Sequence, residues 1–211
     1  MSGASIAAKV NRGLAKAASK VGFPAKVYRV DNYFNPLEDR NYFSSIVVGW
    51  SVDDSFKKTP ADELAYYKLY ASSDNFKVGD FVHSESQCKT FVVVELEQLR
   101  TPAAVLVNDK ITVHRTIFTP SEDVKTKLVE QFIDVPCAIS WKQASATNGG
   151  LSNVSTMKSG LSQVEVWTWM PTGSVKIDDV LEIDGKKFKV DSCQSTNKGT
   201  KISAISTVVG K

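Results

Sequence analysis

Hydrophobic and polar positions change period once along this chain. Ile6, Val10, Leu14 and Val21, with Ala17 and Ala18 between them, recur at helical spacing. Ser2 or Ser5 can cap the start of that segment, and Gly22 with Pro24 ends it. The pattern predicts a short amphipathic helix with one thin apolar stripe and its bases off that stripe. From Ala25 onward the pattern becomes short runs rich in Val, Ile, Thr, Tyr, Phe and Trp. These predict strands at 25–30, 44–52, 64–70, 80–84, 90–97, 103–107, 110–117, 135–142, 163–170, 179–184, 186–193 and 200–208. Phe91 to Val94 is apolar on both faces, as a strand covered on both sides must be. Val180–Ile183 and Lys186–Val190 flank Asp184-Gly185, a dipeptide suited to a two-residue type I′ turn. That turn sets Leu181 opposite Phe188, Ile183 opposite Lys186, and Glu182 opposite Lys187 on the other face. A second helix is expected over 121–133, capped by Ser121, with Glu122 and Asp123 in its first turn and Leu128, Val129 and Phe132 on one face.

The strand region repeats. Val27-Tyr28-Arg29 is matched by Val113-His114-Arg115, and the strand ending at Trp50 by one ending at Trp141. The aromatic run at Tyr66–Tyr70 is matched by Val164–Met170, which carries Trp167 and Trp169. Lys77-Val78-Gly79-Asp80-Phe81-Val82 corresponds to Lys176-Ile177-Asp178-Asp179-Val180-Leu181, and Phe91 to Phe188. The order is kept while the spacing drifts with loop length, which predicts two similar antiparallel modules in tandem. The expected fold is mainly β: two small antiparallel β-barrel or sandwich modules preceded by a basic amphipathic helix. The boundaries are an arm at 1–24, a first module at 25–109 and a second at 110–211. The second contains a polar stretch at 143–162 expected to project as a loop, because nothing in it can build a core.

Charge sharpens this picture. The 211 residues carry 26 bases and 23 acids, for a net charge of +3. The first 26 residues hold Lys9, Arg12, Lys16, Lys20 and Lys26 and no acid. Those five leave 21 bases against 23 acids, so a +5 arm precedes a −2 body. The arm has four readings: a surface helix docked on the body, an arm that meets nucleic-acid phosphates, an interfacial membrane helix, or a transit peptide. With 42% hydrophobic residues and no long apolar run, the composition is that of a globular domain without a membrane helix. Cys88, Cys137 and Cys193 are odd in number and widely spaced, and they read as reduced small hydrophobes.

Candidate chemistry is sparse. His83 and Cys88 flank a turn, and His114 lies on a strand as a surface or hydrogen-bonded histidine. No phosphate loop, nucleophile elbow or metal-ligand spacing is present, so neither a catalytic residue, a metal nor a cofactor is expected. Asp53-Asp54 and Asp178-Asp179 are adjacent, which sends neighbours on a strand to opposite faces. Asp178-Asp179 reads better as the turn entering the Asp184-Gly185 hairpin. Tyr66, Tyr67 and Tyr70 near Lys68 give a faint hint of a base-stacking surface, with core packing the plainer reading. Both faces of the strand with Trp167 and Trp169 are apolar, which suggests cover by a neighbouring subunit.

Residues 10–116 carry a resemblance. Gly22-Phe23-Pro24, Val27-Tyr28-Arg29, Gly79-Asp80-Phe81, Thr90-Phe91-Val92, Leu99, Pro102, Val105, Asn108 and Val113-His114-Arg115 resemble the pattern of a group of tailed-phage virion proteins encoded among head and tail genes. Val105-Leu106-Val107-Asn108 departs from it, since a more basic segment with Cys would be expected there. The second half is similar in style to β-barrel stopper and head-completion proteins of phage necks. The resemblance implies a non-enzymatic virion protein of the head–tail interface, assembled in the bacterial cytoplasm. It would form a homo-oligomeric ring of about 6 or 12 copies between a portal-bound connector and the tail terminator or tail tube, sealing the channel that holds genomic double-stranded DNA. Lys9, Arg12, Lys16 and Lys20 would face the connector or DNA. Asn148, Gly149, Gly150, Asn153 and Lys158 would reach the channel or a neighbouring subunit, and Trp167 and Trp169 would pack core or subunit interface. The alternatives are another tail ring component, such as a tail terminator or baseplate hub, or a non-enzymatic nucleic-acid-binding protein.

Overall fold

The computed structural model describes residues 3–29, 35–52, 66–97, 99–118, 126–142, 163–196 and 199–206. Helix α1 (Gly3–Val21) comes first. Strands β1 (Phe23–Tyr28), β2 (Tyr42–Val52), β3 (Tyr66–Tyr70), β4 (Phe81–Ser84), β5 (Lys89–Glu95) and β6 (Ala103–Val107) follow. Then come β7 (Asp109–Phe118), β8 (Thr126–Lys142), β9 (Gln163–Thr168), β10 (Val180–Ile183), β11 (Lys186–Thr196) and β12 (Gly199–Ser206). Each of the twelve runs expected to be extended contributes a strand.

The strands close into two antiparallel barrels of the same topology. The first runs β1-β2-β3-β6-β5-β4 and closes β4 on β1; the second runs β7-β8-β9-β12-β11-β10 and closes β10 on β7. Closure removes the edges that would otherwise invite pairing with other chains. Inside the first barrel lie Val27, Val48, Leu69, Val82, Phe91 and Val93, and inside the second Ile111, Val113, Val164, Leu181, Phe188 and Ile202. Trp50 meets Phe91 in a tilted contact at 5.1 Å between ring centroids, and Trp141 meets Phe188 edge-on at 5.7 Å, so each barrel has a Trp–Phe pair of the same origin. The repeat extends to irregularities. The fifth strand of each barrel bulges after its core valine, between Val93 and Glu95 in one and between Val190 and Ser192 in the other.

The Asp184-Gly185 hairpin has the expected register, with Leu181 opposite Phe188, Glu182 opposite Lys187 and Ile183 opposite Lys186. Both turn residues have positive φ, 48° and 72°, as a type I′ turn requires. The second helix is not formed. Residues 126–133 belong to β8, whose Leu128, Val129, Glu130 and Phe132 pair with Thr116, Arg115, His114 and Val113 of β7. A helix there would leave the β7 backbone from 113 to 118 without partners on its β8 side, and Val129, Phe132 and Ile133 suit a strand in their own right. The proposed start of that helix, 121–125, lies outside the described residues.

The barrels join through unlike faces. Tyr28, Tyr66, Phe81, Val92, Val94, Ala103 and Val105 on the outside of the first barrel pack against Ala138 of β8 and Trp167 of β9. This explains the doubly apolar run in β5: Phe91 and Val93 fill the barrel, while Val92 and Val94 fill the joint. A single residue, Asn108, separates β6 from β7. Its side chain completes a local ladder, donating to the Ile139 carbonyl at 2.9 Å and accepting from the Ile139 N–H at 2.7 Å.

Candidate functional site

Three features concentrate charge: the seam where each barrel closes, the outer face of α1, and one end of the second barrel. Each seam is a short strand pairing. Lys26, Val27 and Tyr28 face His83, Val82 and Phe81 in the first barrel, and Thr112, Val113 and His114 face Glu182, Leu181 and Val180 in the second. One register position further the next cross-strand pair is Arg29 with Asp80, and Arg115 with Asp179. Both are bidentate. Arg29 donates from Nε and Nη2 to the two Asp80 oxygens at 2.9 and 2.6 Å, and Arg115 does the same to Asp179 at 2.9 and 2.7 Å. Asp80 and Asp179 are buried, and each also accepts from a backbone N–H three residues back, Lys77 at 2.7 Å and Lys176 at 2.8 Å. Donation to the Asp179 carboxylate raises the Arg115 pKa above its ordinary value.

The turn that presents each aspartate is also repeated. Gly79 N–H donates to the Val93 carbonyl and Asp178 N–H to the Val190 carbonyl, with φ of 92° and 72°. Asp178-Asp179 is thus divided in role. Asp179 points inward to Arg115, while the exposed Asp178 pairs with Lys189 at 2.8 Å. The sequence reading placed this pair in a turn and missed its ion pair. The signal was present in the repeat, which aligns Arg29 with Arg115 and Asp80 with Asp179.

Helix α1 lies against β2 and β3 of the first barrel, so the docked-helix reading holds. Ala18 is buried there, and Gly22 N–H caps the helix by donating to the Ala18 carbonyl at 2.7 Å. A side chain at Gly22 would come within 2.5 Å of that oxygen and 2.9 Å of the Val48 backbone, so only glycine fits the junction. Asn11 completes the dock, donating to the Asp74 carboxylate at 3.2 Å and accepting from the Ser73 hydroxyl at 2.9 Å. Lys9, Arg12, Lys16 and Lys20 are all exposed.

At one end of the second barrel a cleft of about 470 Å³ is lined by Asp109, Lys110, Thr112, Asp134, Glu182, Asp184 and Gly185. Glu182 is engaged by His114, whose Nε2 lies 2.9 Å away, so His114 is a buried, hydrogen-bonded histidine. His83 Nδ1 lies 2.9 Å from the Thr90 hydroxyl, and burial pushes its pKa below the ordinary histidine value. Cys137 is buried, and burial pushes its thiol well up; Cys193 is raised for the same reason, while Cys88 sits exposed in the turn at φ 50°. Among the described residues no group of three or more His, Cys, Asp or Glu is placed to hold a metal ion.

The structure disperses the expected site residues. Lys9, Arg12, Lys16 and Lys20 come together on α1. Asn148, Gly149, Gly150, Asn153 and Lys158 lie outside the described residues, as do Asp53 and Asp54. Of the two settings expected for Trp167 and Trp169, core or subunit interface, the structure shows the first for Trp167. Trp167 is buried in the joint between the chain's own barrels, and Trp169 meets Phe81 edge-on at 6.3 Å. A tandem repeat supplies internally the cover that the apolar face of β9 requires. The tyrosines are likewise structural. Tyr66 is in the joint, Tyr67 packs on Phe91 and the Tyr70 hydroxyl bonds Ser51. No helix among the described residues is long and apolar enough to cross a membrane. Comparison with family models, curated proteins and solved structures finds no match.

Proposed function

We propose that this chain is a non-enzymatic structural protein of a tailed-phage virion. It forms a ring in the neck between a portal-bound connector and the tail, and there it seals the DNA channel and docks the tail. The observation that supports this reading most is the pair of closed barrels with an acid-free basic helix docked on the first, a part that presents a charged surface on a closed scaffold. The titratable groups fit a structural part as well: Asp80, Asp179, His114 and His83 are each committed to a partner within the fold. Resemblance of residues 10–116 to virion proteins supplies the location, and the 143–162 segment the candidate gate.

Native mass measurement and negative-stain imaging test the reading, on the full chain alone and mixed with the products of neighbouring genes. A closed ring of about 6 or 12 copies, alone or on a connector, is expected. A chain that stays monomeric under both conditions refutes it. Co-assembly with tail-tube or baseplate proteins in place of the connector moves the ring to the other end of the tail. Deleting 146–160 should leave the fold intact while filled heads lose their genome or fail to take tails; filled, infective particles would refute the gate.

A further inference from the structure

On α1 the cations are arranged, and the arrangement selects a partner. At about 100° per residue, Lys9, Arg12, Lys16 and Lys20 fall within an arc of roughly 80° and span about 16 Å of helix. Val10, Leu14, Ala17, Ala18 and Val21 fall on the opposite side, where Ala18 is buried and the helix lies against β2 and β3. The dock's polar bonds run through Asn11 to Ser73 and Asp74 and leave the four cations outside it. Among the described residues none of the four forms an ion pair, and the helix contains no acid.

We propose that this exposed stripe binds the phosphate backbone of duplex DNA without reading its sequence. Ser5, Gly13 and Ser19 lie between or beside the cations, with no aromatic or branched apolar side chain among them. Protein–protein surfaces are depleted of lysine and rely on aromatic and arginine anchors, which the stripe lacks apart from Arg12. Single strands are held by stacking platforms, and none lies here. A line of exposed ammonium and guanidinium groups is instead the arrangement that neutralises successive phosphates and releases their counterions. An anionic bilayer fits less well, because Val10, Leu14, Ala17 and Ala18 are at least partly covered and only Ile6 and Val21 are left exposed as large apolar side chains on the helix. This inference commits the arm of the proposed neck protein to DNA rather than to a connector. It does not need the ring, since a monomer presents the same stripe.

Fluorescence anisotropy with a short random-sequence duplex tests it on the full chain, with assembly state followed separately by sedimentation. Four phosphate contacts predict a slope of log K against log salt near −3.6, so affinity falls about 100-fold between 50 and 200 mM salt. The combined Lys9→Gln, Arg12→Gln, Lys16→Gln and Lys20→Gln variant keeps good helix formers, so its circular dichroism should match the parent. It should lose at least tenfold in affinity at low salt and nearly all of the slope. A control changing Lys110, Lys176, Lys186 and Lys187 to Gln removes the same charge from exposed positions on the second barrel and should retain both. The proposal is overturned by any of four results: no duplex binding at low salt, equal loss in the control, tighter binding to single strands or polyglutamate, or retention on anionic vesicles in place of duplex. Failure here with an intact ring would leave the neck reading standing, and binding by a strict monomer would separate the two in the other direction.

Discussion

Replacing Arg115 with methionine should unlatch the second barrel. The substitution keeps most of the aliphatic stem and removes the guanidinium. It strands the Asp179 carboxylate, whose side chain is only 4% exposed, with one of its three hydrogen bonds, that from the Lys176 N–H. Breaking a buried pair by removing one partner costs about 3–5 kcal/mol. The Arg115 side chain is 25% exposed, so water can reach the vacated side, and the expected loss is nearer ~2–3 kcal/mol. Pairing Arg115→Met with Asp179→Asn removes the stranded charge and leaves an oxygen for the turn. The double variant should therefore recover about 1–2 kcal/mol relative to Arg115→Met alone. Equilibrium urea unfolding followed by tryptophan fluorescence reads these differences. A loss below about 0.5 kcal/mol for Arg115→Met, or a double variant no more stable than the single, would refute the idea that a buried charge is being stranded. The same substitution at Arg29 should cost at least as much, because that guanidinium also lies 3.9 Å over the Phe43 ring.

Other perturbations separate backbone, protonation and packing effects. Gly79 and Asp178 hold equivalent positive-φ positions, and nothing lies within 4 Å of a Cβ at Gly79. Gly79→Ala should therefore cost about 1 kcal/mol through the backbone alone, while Asp178→Gly should be neutral or stabilising by a few tenths, both read by thermal or urea unfolding. His83 is held below its ordinary pKa by burial, so the unfolded chain binds its proton more readily. The contribution is complete above about pH 6.5 and is lost as pH falls from there through the folded value; His83→Gln should flatten that part of the stability–pH curve. Trp167→Ala empties the joint and should cost about 3–5 kcal/mol, with limited proteolysis between the barrels rising in parallel; unchanged cleavage and stability would refute the packing assigned to it.

The parts of the fold legible in sequence were those written in local patterns. Alternation located the strands, and the Asp184-Gly185 dipeptide set a hairpin register to the residue, because a two-residue turn leaves no slack. The repeat was legible because turns and core positions recur in order. What misled was the amphipathic-looking run at Leu128, Val129 and Phe132, where three apolar residues suit either period and pairing with β7 decides. The latch was missed because Arg29 and Asp80 are far apart in sequence, and only barrel closure makes them neighbours. Trp167 was left between core and subunit interface because sequence shows that a face must be covered, not by what.

The two copies have also diverged where it matters. Matching the seams and hairpins places Tyr28, Phe81, Val92, Val94 and Ala103 of the joint opposite His114, Val180, Lys189, Asp191 and Ser203 in the second barrel. The second barrel thus presents a wet face where the first presents an apolar one, and the stack ends at two. Asn108 adds stiffness to that arrangement. With one residue between the barrels and its amide clamped to the β8 backbone, the connection offers no hinge. A movement of the first barrel is therefore carried into the second through β7 and β8 rather than absorbed in the link.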